Sequence, residues 1–132
     1  MNQTQKTDWA LLLLRLVFGL SMLFGHGLRK VDRLFGSEEI KFADPFGIGP
    51  VPSLALVVFA EVVCAALLAL GLFTRLSLIP LIITMLVAAF YAHWSDPFSD
   101  KEMSILYLTA YTALLLTGPG WFSVDAQWRA RK

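Results

Sequence analysis

The sequence predicts an all-α, four-helix transmembrane bundle, up-down-up-down, in one domain spanning residues 1–132. Three observations lead there. Hydrophobic residues make up 57% of the chain and charged residues 16%, with a mean hydropathy of +0.65. A soluble domain of this size has no interior large enough to hide that much apolar surface. The apolar residues also gather in four runs, 9–28, 52–73, 76–94 and 102–118, most of them near the ~20 helical residues that cross a hydrocarbon core of about 30 Å. Between the runs lie charged or turn-forming residues.

The first run, Trp9–Leu28, follows a short polar stretch, Met1–Asp8. It is too long for a signal h-region, carries Arg15 and has no A-x-A-like cleavage site after it, so it reads as a spanning helix anchored at the interface by Trp9. Gly19 and Gly27 predict close approach by a neighbour. Arg29–Pro50 is rich in charge and reads as the longest connection, its last part (Asp44 to Pro50) built of turn residues that fold back onto the membrane surface. The second run holds one acid, Glu61, amid apolar neighbours. Gly71-Leu72-Phe73-Thr74-Arg75 then makes a tight hairpin into the third run, which Pro80 enters near its start, where a missing N–H costs least. Ser99-Asp100-Lys101-Glu102 matches a capping box and predicts the start of the fourth helix. Gly118-Pro119-Gly120 ends it, leaving a polar tail.

Four crossings put both termini on one face. That face holds Lys6, Arg75, Arg129, Arg131 and Lys132, and the loop face holds Arg29, Lys30, Arg33, Lys41 and Lys101. The positive-inside count is therefore tied; the termini are assigned to the cytoplasmic side without a surplus to support them. Net charge is +1, so nothing suggests a nucleic-acid partner. The single cysteine, Cys64, excludes an internal disulfide or CxxC pair and reads as a small packing residue.

The polar groups at depth are the candidate site. An acid inside a membrane is a functional candidate by default. Glu61 has three readings: hydrogen-bonded between helices, paired with Arg15, or binding a ligand and relaying protons. Arg15, about 9 Å inward of Trp9 at 1.5 Å per residue, either snorkels to the termini face or reaches Glu61. His26 and His93 fall at matching depth near the loop face, with Glu102 on that face and Glu61 about 13 Å below it. Together they predict a half-funnel with Glu61 at its floor. Glu102 also has the bland role of completing its capping box. Tyr107 and Tyr111 share a helix face with Met103 and read as core or as an apolar slot for a flat ring.

The ordered landmarks resemble the DoxX family of small four-helix membrane proteins. They are Arg15-Leu16, Gly19 and Gly25-His26-Gly27-Leu28-Arg29-Lys30; Glu61; Gly71-Leu72-Phe73-Thr74-Arg75; and Glu102 with Gly118-Pro119-Gly120-Trp121-Phe122-Ser123-Val124-Asp125. The resemblance implies a bacterial inner-membrane protein. Some relatives are linked to quinone-coupled sulfur oxidation or oxidative-stress complexes.

The leading expectation is a membrane subunit of a quinone-linked redox system. Glu61, His26 and Arg15 would carry the chemistry, and His93, Glu102, Tyr107 and Tyr111 would hold the cofactor. Quinone is the expected cofactor. Bis-histidine haem ligation ranks below it, since interfacial histidines are common without metal, and no metal site is expected. Expected partners are the lipid bilayer, soluble redox proteins and a second copy of the chain. The alternatives are a non-catalytic anchor that recruits soluble partners and, less favoured, a small-solute transporter, for which four helices without inverted repeats give little basis. Nucleotide loops, Ser-His-Asp sets and zinc spacings are absent.

Overall fold

The computed structural model describes every residue, Met1–Lys132, and contains helices but no strand. Helix α1 runs Gln3–Leu34, α2 Pro50–Leu70 and α3 Thr74–Ala92; α4 is Phe98–Thr117 and α5 Val124–Ala130. The first three are long and apolar enough to cross a membrane. Helix α4 is as long as many spans, but Asp100, Lys101 and Glu102 in its first turns shorten the apolar part to Met103–Thr117, about 22 Å of helix.

Helix α1 exceeds its predicted bounds at both ends. Asn2 and Gln5 form a reciprocal capping box (3.0 and 2.9 Å), which draws the polar start into the helix. At the other end no glycine or proline interrupts Arg29–Leu34, so the charged residues assigned above to a loop continue α1 past the apolar core. The polar tail holds a short helix: Ser123 caps α5 by accepting from Ala126 N.

Helix α2 opens on Pro50, the residue with no N–H to leave unpaired there. Before it, Asp44 accepts from Ile48 N (2.9 Å), Gly49 N (2.8 Å) and Ser53 Oγ (2.9 Å), which ties the loop to the helix start. Those bonds, led by Gly49 N–H, hold the Asp44 carboxyl below its usual range. The helix ends at Gly71 in the left-handed region (φ 71°). Leu72 N donates to Leu67 O and Gly71 N to Leu68 O, at 2.9 and 3.0 Å, the paired bonds of a Schellman stop. Pro80 is the seventh residue of α3, deeper than the sequence reading placed it, and the Leu76 carbonyl loses its usual donor there. The predicted capping box on α4 does not form. The helix starts earlier, at Phe98, with Pro97 in the cap position and no side chain serving it. Glu102 is exposed.

Helix α1 packs antiparallel on α2 along a seam of small residues. A Cβ on Gly19 would meet Ala65 O and the Ala69 backbone at 3.0–3.1 Å, and one on Gly27 would meet Glu61 O at 2.5 Å. Helix α2 packs on α3, α3 on α4, and α4 returns to α1. The buried centre is Met22, Cys64, Leu68, Leu78, Leu81, Tyr111 and Leu114 with their neighbours. In the half of the bundle near the loops, three helices each take a π turn, at Leu23–Gly27, Phe59–Cys64 and Ala88–Ala92. The first two face one another.

Candidate functional site

Glu61 lies within the π turn of α2, 2% exposed. Its partner is Lys30: Nζ stands 2.6 Å from Glu61 Oε2. The geometry follows from α1. Gly27 brings the two backbones together at Glu61, and Lys30 follows it by three residues on the same face. Helical side chains lean toward the N-terminus, so the lysine stem points back along α1 onto the carboxylate. Its own side chain is 22% exposed against 3% for Glu61, so the ammonium is the more solvent-facing member of the pair.

His26, one turn before Lys30, is half-buried and packs edge-on against Tyr107 at 5.7 Å. Tyr107 also meets Phe18 edge-on at 5.4 Å and Tyr111 at 5.7 Å. Tyr111 is wholly buried and donates to Phe18 O at 3.1 Å. The structure therefore gathers Glu61, Lys30, His26 and Tyr107 around one level of α1, α2 and α4. That set combines a carboxylate acceptor, an ammonium donor and an imidazole able to do either. Met103, expected on the tyrosine stripe, is 53% exposed and lies outside it.

Three other expected members stand elsewhere. Arg15 does not pair with Glu61. Along α1 it is 15 residues from Lys30, about 22 Å. It is 0% exposed and directed to the termini side, where Nη1 donates to Ala69 O (3.2 Å) and Nη2 to Phe122 O. Its Nε is buried without a partner. His93 pairs with Asp96, Nδ1 to Oδ2 at 2.7 Å, with both side chains over 40% exposed, so it meets neither Glu61 nor Glu102. Glu102 makes no ion pair.

Arg15 belongs to a second polar knot, at the α2–α3 hairpin. Asp125 of α5 accepts from Phe73 N (2.9 Å), Thr74 N (2.9 Å) and Thr74 Oγ1 (2.8 Å), and Asp125 N donates to Gly71 O (2.9 Å). A residue 51 positions away thus caps α3. Partial burial pushes the Asp125 carboxyl up, but the donors from Thr74 and Phe73, with Arg129 nearby, outweigh it and hold it below its ordinary value. Gly71 is fixed by space as well as by φ: a Cβ there would collide with Arg15 Nη1 and Ser123 Cβ. Asp8 accepts from Trp121 N (3.0 Å) and Trp9 stacks on Phe122 at 4.6 Å.

Sequence reasoning missed Lys30 as the partner of Glu61. The signal was present: Lys30 follows Gly27 by three residues and His26 by four, which puts all three on one helix face if α1 is carried past Leu28.

No curated protein and no solved structure matches the chain. The model of the DoxX family matches residues 10–94, nearly two thirds of the 132 residues. The match covers Arg15, His26, Gly27, Lys30, Glu61 and the Gly71–Arg75 hairpin, and stops short of α4 and α5. With three helices fit to cross a bilayer, the chain is a membrane protein, and it belongs to the DoxX family.

Proposed function

We propose that this protein is a four-crossing subunit of a quinone-linked redox system in a bacterial inner membrane, with both termini cytoplasmic. In this reading it exchanges protons at the Lys30–Glu61 pair. The observation that carries the reading is an ion pair at 2.6 Å, one partner 3% exposed, inside a helix apolar enough to span. Ionisable groups at that depth are expensive and mark proton and substrate paths. The donor set suits a quinone head. A carbonyl needs a hydrogen-bond donor, which Lys30 and His26 supply, and the ring needs an aromatic wall, which Tyr107 supplies. When bound, a quinone accepts two electrons and two protons. Lys30 would orient one carbonyl, and Glu61 would pass the two protons to the head in turn, each replaced from water at the loop face past the exposed side of Lys30. A soluble partner supplies the electrons. Arg15 and Glu102 have no part in this step; Tyr111 anchors Tyr107.

The test is quinone reduction by purified protein with its electron donor, comparing wild type with Glu61→Gln. The expected loss is about 10²-fold, the usual contribution of a positioned proton-transfer group. Equal rates remove Glu61 from the mechanism.

A second reading, a non-catalytic anchor, draws support from a groove of about 450 Å³ between the end of α1 and the loop after it, lined by Asp32, Arg33, Glu38, Glu39 and Lys41 among others. It expects charge reversals in that loop to abolish capture of a soluble partner while Glu61→Gln leaves capture intact.

A further inference from the structure

On the opposite face, the α2–α3 hairpin and α5 enclose an open groove of about 680 Å³ that the proposed reaction does not use. We infer that it holds an anionic phospholipid, its acyl chains on the hairpin and its phosphate at the end of α5. Leu70, Leu72 and Phe122 form one side; Val124, Trp128 and Arg131 form the other. The last three recur at i, i+4 and i+7, so one face of α5 carries two apolar side chains and then a cation. Leu70 is 58% exposed and Trp128 53% exposed, so the groove opens on the apolar surface of the bundle. Trp9, Trp121 and Trp128 ring this end as an interfacial belt does, which sets the groove at headgroup depth.

Charge selects the occupant. Arg131 lines the groove, with Arg75 and Lys132 exposed at the same end; Arg15 is buried on carbonyls and Arg129 lies near Asp125. Both acids at this end are already engaged by hydrogen-bond donors, Asp8 by Trp121 N and Asp125 by Phe73 and Thr74. Neither acid forms an ion pair with Arg131, so the end of the groove is positive. A zwitterionic lipid would fill the apolar side equally well but would not use the cations. An anionic one uses both, at about a fivefold gain in binding per nearby Lys or Arg.

The full chain in nanodiscs of mixed phosphatidylglycerol and phosphatidylcholine, washed in detergent, tests this by the lipid retained. Phosphatidylglycerol should be retained over phosphatidylcholine. Arg131→Gln should cut that retention about fivefold, and Leu70→Trp, which fills the groove, should abolish it. Lys6→Gln, a cation on the same face outside the groove, should leave it unchanged. Arg131 lies at the C-cap of the last helix, so an unchanged melting temperature in Arg131→Gln separates lipid loss from misfolding. Equal retention of both lipids, an equal effect of Lys6→Gln, or full displacement by soluble glycerol phosphate would overturn the proposal.

Discussion

Glu61 and Arg15 are the two charges that the apolar runs cannot hide, and each is met by a different device. Glu61 finds a counter-ion in Lys30. Arg15 finds main-chain carbonyls: Ala69 O, left without a donor in the last turn of α2, and Phe122 O in the turn before α5. The carbonyls come within reach because Gly71 leaves room: its missing Cβ is the space the guanidinium occupies. Gly71→Ala should therefore destabilise the protein by about 1–3 kcal/mol, combining left-handed backbone strain with displacement of Arg15. Thermal unfolding in detergent measures this. An unchanged midpoint would mean that the guanidinium moves aside freely.

At the scale of elements, α5 fastens the hairpin through Asp125, which caps a helix it does not belong to. The Asp125 carboxyl is held below its ordinary value of 3.8. A lowered native pKa adds stability that is present above the ordinary value and is lost as pH falls through the native one. At neutral pH, Asp125→Asn should accordingly melt below wild type. The gap between the two should narrow once pH falls below 3.8 and close only when it has passed the lower native value, where the Asp125 carboxyl is neutral as well. Melting curves from pH 7 to about pH 2 check it; a gap that stays constant to the acid end would place the loss in packing instead of charge. The three π turns are the other feature of this scale. Each inserts an extra residue per turn and re-aims the side chains that follow, and Glu61 sits within one of them.

For the whole molecule, the helical bundle was legible in the sequence because apolar runs, Gly71 and Gly118 act locally. Glu61 was legible for the same reason: an acid in an apolar run stands out by contrast. Its partner was not, because Arg29–Arg33 reads as a solvated loop by composition, although nothing in it breaks a helix. The contacts of Arg15 were beyond reach too, since Phe122 O lies 107 residues away and carbonyls leave no mark in a side-chain pattern. The π turns have no compositional signature. His93 was placed near Glu61 by depth alone, which fixes height on a helix and leaves its facing undetermined; Asp96, three residues on, claims it.

The account rests on Lys30 and Glu61 acting as a coupled pair that joins α1 to α2. A double-mutant cycle measures that coupling directly: reversible unfolding of wild type, Lys30→Met, Glu61→Gln and the double variant. Removing one partner of a buried pair costs about 3–5 kcal/mol. The account predicts that the double variant is more stable than the summed single losses imply, by a coupling of about 1–3 kcal/mol. Single losses that simply add would show that the two side chains do not interact, and would contradict it.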